Sequence, residues 1–526
     1  MRRLVFLKKQ KKRNSMLHDK QKKFSNFLIP SHIICLLGIA CTLYYPSLKA
    51  DLTTLAKNDP LPVFTTLNID DALLLTKDQL NWRRNRILYE DLNWADRKHN
   101  HINISISPFA QNADRGKPIE GRACPPVRFI CDTNLEPEVT EFLDTPLGDL
   151  TGRTSMLALL FGPVPEGEEF VPTLQNARKQ LYGVTDTDPN QIIEEEGDID
   201  PREQYAYFSF PIKYRKRGLR FEASGLLPYG LGLRFQAGFS TIRQVKQAQI
   251  NLTEAATDEF IPETPAVRNV TTVNNTLMRQ LDEIMEELRI DFCNDFIDTS
   301  LEDMRFNLFW RQGFRVNETA DYTWARFLAI PYFEISGSFS PVRHDNFRQF
   351  FWAPFGNNGH SSAGLTAGVN LDFLDTIEIG GEVGWTHFFK KTFCDFPVPT
   401  NEFQNNIYPF STDVSIHPGD NWYFCARLAA YHFLDRLSMH FEWYVLDHQK
   451  NHFCLLDPAV NDPNEEPVFL PEVLECRSSF KVKLGNIGLN YDLSPNFSIG
   501  ALWQIPFSQR NAYRSSTIMA GLNITF

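Results

Sequence analysis

What the chain lacks narrows the field first. Of its 526 residues only one stretch, Ile33 to Tyr45, comes near the run of ~20 apolar residues that a spanning helix needs, which excludes a polytopic helical membrane protein. The nine cysteines show no C-x2-C spacing, so the usual zinc sites are missing and no metal is expected. The acidic runs at 194–200 and 461–466 lack EF-hand spacing and read as solvated loops. Positive charge is scarce beyond the N-terminus. Residues 1–50 hold 11 of the 53 Lys and Arg against one acidic residue, leaving 42 basic against 63 acidic groups and a net of −21 on the rest. Such an acidic bulk argues against nucleic acid as a partner. No cofactor motif is present.

Those 11 basic residues instead belong to an export signal. A basic region containing Lys20, Lys22 and Lys23 precedes the apolar stretch IICLLGIACTLYY, and PSLKA ends at a small residue suited to cleavage after Ala50. Residues 1–50 are therefore predicted to be a signal peptide. Residues 51–100 follow as an N-terminal helical segment, periplasmic or plugging, because Leu73, Leu74, Leu80, Ile87 and Leu88 recur at helical spacing behind Asp70 and Asp71.

From residue 101 the period becomes two. HINISISPF alternates Ile102, Ile104 and Ile106 with Asn103, Ser105 and Ser107, and the same alternation marks segments starting near 219, 231, 365, 377, 437 and 497. Segments 324–339, 347–355, 421–434 and 480–493 are also read as strands. Tight turns are expected at 228–230, 374–376, 434–436 and 494–496. Long polar loops are expected at 112–203, 243–322, 390–420 and 449–477, with a helix over 275–290 inside the second. Short turns at one end, long loops at the other and about ten residues per strand predict an all-β chain, a transmembrane antiparallel β-barrel of about 12 strands, with 10–16 compatible. A closed sheet satisfies every backbone amide in the hydrocarbon. Aromatics at 13%, with 43 Phe, suit interfacial girdles.

The last strand, TIMAGLNITF, with alternate apolar residues leading to Phe526, resembles the C-terminal signal by which bacterial outer-membrane barrel proteins are recognised by their assembly machinery. That resemblance implies a bacterial cell outer-membrane location, with outer-membrane lipids and the barrel-assembly machinery as partners, and a homo-oligomer as one option. It names a porin-like architecture and no particular family.

If apolar residues face lipid, the strand phase directs Arg220, Glu222, Arg234, Glu334, Asp372 and Glu378 into the lumen, and likewise Glu382, Arg427, His440, Glu442, Lys481 and Lys483. Both signs are present, as befits an aqueous passage for small polar solutes. A lumen filled by cross-barrel ion pairs, in a non-conducting surface, adhesion or structural protein, is the alternative. Cys124 and Cys131, Cys394 and Cys425, and Cys454 and Cys476 are spaced as three loop-closing disulfides on the oxidising side, with Cys293 left over. His360 and Ser362 in GHSSAGL have the His-x-Ser spacing that resembles outer-membrane phospholipases and lipid A deacylases, but no third triad member accompanies them. An enzyme is therefore not expected.

Overall fold

The computed structural model describes residues 102–117, 145–147, 154–182, 207–246, 250–251, 273, 275–290, 295–316, 327–339, 356–357, 359–373, 377–434, 436–456, 468–494 and 497–525. All belong to the compact unit Thr54–Phe526. The predicted signal peptide, the 51–100 segment, Cys124, Cys131, Cys293, the 347–355 stretch and Phe526 lie outside the described residues.

Twelve strands close into one antiparallel barrel. They are β1 (Ile102–Lys117), β2 (Ile212–Leu226), β3 (Leu231–Lys246), β4 in two pieces (Phe296–Leu301 and Met304–Arg311), β5 (Phe327–Phe339) and β6 (Ser362–Phe373). The second half comprises β7 (Ile377–Phe388), β8 (Asn421–Leu434), β9 (Leu437–His448), β10 (Phe480–Ser494), β11 (Phe497–Arg510) and β12 (Ala512–Thr525). Each strand pairs with its sequence neighbours. β12 returns to β1, with Ile104 opposite Ile524 and Ile106 opposite Leu522.

The alternation seen in the sequence is the reason for this closure. Along β2 and β3, Leu219, Phe221, Leu233, Phe235 and Phe239 point out, while Arg220, Glu222, Arg234 and Gln236 between them are buried inside. Outward apolar stretches of about eight residues give a band on the order of 20 Å tall once the strands tilt, the height of a membrane's apolar core in barrels of this kind. An outer face of Leu, Ile, Val and Phe with a polar inner face is the inverse of a soluble protein, and it makes this an outer-membrane-type barrel.

β4 lies inside the stretch expected as the 243–322 loop, which corrects that boundary. Met304, Phe306, Leu308 and Trp310 alternate with Arg305, Asn307 and Arg311, and Phe309 alone breaks the rule. β5 pairs directly with β4 and β6. The total of twelve includes β4.

The connections are asymmetric, although the β4–β5 connection, 312–326, is a long one at the short-turn end. At one end Pro228–Gly230, with Tyr229 and Gly230 at positive φ, joins β2 to β3, and two residues each separate β8 from β9 and β10 from β11. At the other end only Asn511, at φ 53°, makes a tight turn. The remaining connections there are long, and their described residues pack against inward apolar residues at the ends of the strands. Within them lie helices α1 (Pro172–Tyr182), α2 (Leu281–Glu287) and α3 (Pro471–Cys476), and a small sheet of Lys391–Pro397, Ser411–His417 and His452–Leu455. The helix expected over 275–290 is helical at 275–279 and in α2, with Leu277, Leu281, Ile284 and Met285 buried as its spacing implies.

Candidate functional site

Two bands of inward side chains occupy the lumen. On β2–β5, Glu302 sits at the break between the two pieces of β4, fully buried, and accepts Lys216 Nζ at 2.8 Å and Arg220 Nε at 3.0 Å. Arg220 also stacks over Phe109 of β1, 4.0 Å from the ring centre. Arg234 of β3 links Glu222 of β2 (3.3 Å) to Glu334 of β5 (3.5 Å), while Gln236 and Asn307 donate to the same carboxylates at 2.7 Å. On β7–β9, Arg427 lies between Glu378 and Glu442 at 3.9 and 3.5 Å. Tyr431 donates to Glu378 at 3.0 Å, Asn486 to Glu442 at 3.3 Å, and the Tyr332 hydroxyl to Glu382.

The opposite wall is polar but almost uncharged. From β10 through β12 to β1 the inward residues include Asn486, Asn490, Gln504, Ser515, Thr517, Ser105 and Gln111, with Gln111 donating to Thr517 at 3.0 Å. Asp492, beside the β10–β11 turn, is the acidic exception. A charged arc facing a neutral arc sets a field across the lumen rather than along it.

Of the residues assigned to the lumen from the sequence, Arg220, Glu222, Arg234, Glu334, Asp372, Glu378, Glu382, Arg427, His440 and Glu442 lie on the inner face. Lys481 and Lys483 do not. They face outward, Lys481 pairing with Asp447 at 3.1 Å, because their neighbours Phe480, Val482 and Leu484 turn inward against an apolar cap. Apolar-out phasing inverts at that end. Lys216, Glu302, Arg305 and Arg311 were missed, although Lys216 is in phase with Arg220, and Arg305 and Arg311 are in phase with each other.

That cap is continuous with the barrel. Phe109, Tyr423, Cys425, Tyr444, Leu446, Phe480, Val482, Leu484, Leu502 and Met519 share one buried apolar cluster with loop residues such as Leu157, Leu160, Leu174, Phe208, Leu277, Ile284, Phe393 and Phe410. Asn401 ties two loops together, donating to the carbonyls of Ala158 (2.9 Å) and Phe161 (2.7 Å) while its own oxygen accepts the amides of Phe403 and Gln404. Thr173, at the start of α1, donates from its amide and hydroxyl to Glu287 at the end of α2. Arg477, 2% exposed, donates to the Gln404 carbonyl at 3.0 Å.

The disulfide expectation needs correcting where it can be checked. Cys394, Cys425, Cys454 and Cys476 are free thiols. Cys394 and Cys454 are exposed on the small sheet, whereas Cys425 is buried on the inner wall of β8, so Cys394 and Cys425 lie on different surfaces. Next to Cys454 and Cys476, strand and helix join through the Phe453 amide and Glu475 at 2.9 Å, not through sulfur.

His360 and Ser362 are not brought together. His360 bonds through Nδ1 to the Phe389 carbonyl at 2.9 Å, while Ser362 points into the barrel and pairs with Ser338 at 2.5 Å. Burial pulls the His360 pKa down to about 4, with Lys391 adding to the effect against the Phe389 hydrogen bond. A neutral imidazole with no hydrogen bond to the serine does not make it a nucleophile.

No protein-family model matches the chain, and no curated protein matches it. Among solved structures it is similar to an outer-membrane channel from Pseudomonas putida F1, at 6% identity and TM-score 0.39, over 82% of this chain and 97% of that one. It is also similar to the NanC porin, at 8% identity and TM-score 0.25 over 59% and 94% of the two chains, and to the KdgM porin, at 7% identity and TM-score 0.25 over 61% and 99%.

Proposed function

We propose that this chain is a porin-like outer-membrane channel for small polar solutes that rests shut and conducts when its external cap is displaced. The observation that carries the reading is the barrel's girth together with its charged inner wall. Twelve strands about 4.7 Å apart and tilted about 40° enclose a cylinder on the order of 23 Å across, backbone to backbone. The inward side chains, nearly all of them below a tenth exposed, fill that cylinder, and the cap core lies at the long-loop end, so solute passes when these side chains and the cap move aside. A lumen of fixed charges of both signs favours polar solutes over apolar ones and orients their dipoles.

A second reading has its own support: the inner side chains are already buried and paired, as in a non-conducting surface protein whose loops carry the function. Planar-bilayer recording separates the two. Wild type is expected to show infrequent conductance steps. Asn401→Ala, which removes the ties to Ala158 and Phe161, is expected to show them often. Silence from both proteins, across a range of salts and voltages, would sink the channel and leave the surface protein.

A further inference from the structure

The outer wall changes character as the strands approach the long-loop end. On β2 the outward residues run Phe221, Leu219, and then Arg217, Arg215 and Lys213. On β3 they run Phe239, Thr241 and then Arg243, whose side chain is 48% exposed. The same step recurs on the strands that continue the ring: Arg115 on β1, Arg514 on β12, Arg510 on β11, and Lys481 and Lys483 on β10. The basic positions therefore form a belt over six adjacent strands, directly above their apolar band. Elsewhere on the ring the corresponding level carries rings instead, with Trp385 and Trp422 6.3 Å apart.

The chain's own acids offset the belt only in part, with Asp114 of β1 exposed among the basic positions. Asp295 pairs with Arg243 at 3.3 Å and Asp447 with Lys481 at 3.1 Å. Lys213, Arg215 and Arg217 form no ion pair among the described residues. Two registers place like charges directly opposite each other, Arg215 with Arg243 and Lys481 with Arg510. Opposed like charges weaken a sheet, and an anion lying across them offsets that cost, as Asp295 and Asp447 do in part for one member of each pair. This crowding stands out in a chain whose residues beyond the N-terminal 50 carry a net charge of −21.

We propose that this belt binds the phosphate groups of a phosphorylated glycolipid in the outer leaflet. Height and charge both fit. At 3.3 Å per residue the basic positions begin one or two side chains above the last outward Leu or Phe, the level of headgroups rather than of acyl chains or bulk water. Guanidinium groups spaced along neighbouring strands match phosphate oxygens bidentately, and the apolar band beneath receives the acyl chains.

The inference rests on the outer-membrane barrel reading, and its test keeps the two apart. Refolded full-length protein in non-ionic micelles is titrated with bisphosphorylated lipid A, with enzymatically dephosphorylated lipid A and with inorganic phosphate. Only the first is expected to bind tightly. The triple variant Arg215→Gln, Arg217→Gln, Arg243→Gln is expected to bind it about 100-fold more weakly, each charge near an anionic lipid contributing roughly a factor of five. Lys483→Gln with Arg514→Gln, on the other side of the belt, should cost about 25-fold, while Lys390→Gln with Lys450→Gln should change little. Equal binding by the triple variant, or equal binding of the dephosphorylated lipid, would overturn the belt, as would full competition by millimolar phosphate. If boiled and unboiled wild type migrate identically in detergent gels, the barrel fails and the belt with it; heat-shifted mobility with unselective binding condemns the belt alone.

Discussion

Replacing Glu302 with Gln removes the one negative charge between Lys216 and Arg220 while keeping its shape. All three side chains are at most 3% exposed, and the two contacts measure 2.8 and 3.0 Å. At an effective dielectric of about 20 each contact is worth roughly 5–6 kcal/mol of gross attraction. The carboxylate's own desolvation offsets much of that sum. Breaking a buried pair by removing one partner leaves a net loss of about 3–5 kcal/mol, because the cations stay buried with only the more weakly acting Asp303 to offset them. Guanidinium titration of the refolded barrel in detergent should show that loss in the variant. The apolar triplet Lys216→Met, Arg220→Leu, Glu302→Leu should recover much of it, since the two cations go with Glu302 and Asp303 keeps its bond from the Asn357 amide. An unchanged midpoint for Glu302→Gln would refute the reasoning. So would a difference that vanishes in 1 M salt, because screening of that kind belongs to exposed pairs.

Other outcomes follow from the same geometry. His360 is held neutral with its pKa near 4 against about 6.5 unfolded, so its contribution is fully present above pH 6.5 and is lost as pH falls towards 4, by about 3 kcal/mol. Hydrogen-exchange protection at the Phe389 amide, bonded to the Ser361 carbonyl at 2.9 Å, should fall over that window and stop doing so in His360→Phe; a pH-independent protection factor would contradict this. Gly384→Ala should destabilise the barrel by about 1–3 kcal/mol, because a Cβ there would sit 2.0 Å from the Tyr423 ring that bonds Thr366. Ser362→Ala should leave any lipid hydrolysis by the preparation unchanged, and a loss of activity on that substitution would reinstate the His-x-Ser pair.

Much of this architecture is legible in the residues because a membrane barrel obeys one rule for most of its height: apolar out, polar in. That rule places Arg220, Glu222 and Arg234 inside, and the tight turns at 228–230, 434–436 and 494–496 set the phase of the strands around them. It hides β4, whose Phe309 turns inward and whose chain breaks at Glu302 and Asp303 to aim acids at neighbours. It fails outright at the cap end, where the inward surroundings are apolar loop residues rather than water. There Ile212, Tyr214, Val482 and Leu484 face in, and Lys213, Arg215, Lys481 and Lys483 face out. The lysines assigned to a pore thus belong to the belt. Cysteine spacing was no guide to pairing, because Cys425 lies on a strand and strand phase sends it into the lumen.

Cys425 also offers the most direct test of a polar barrel sealed by its own loops. In reduced, refolded protein a small maleimide should modify the exposed Cys394 and Cys454 quickly, leaving Cys425, 2% exposed, unmodified until the cap is loosened by Asn401→Ala. Peptide mass spectrometry reads each site separately. Labelling of Cys425 in the wild type as fast as Cys394 would contradict a sealed lumen; protection that ends with the cap's integrity is what the account predicts.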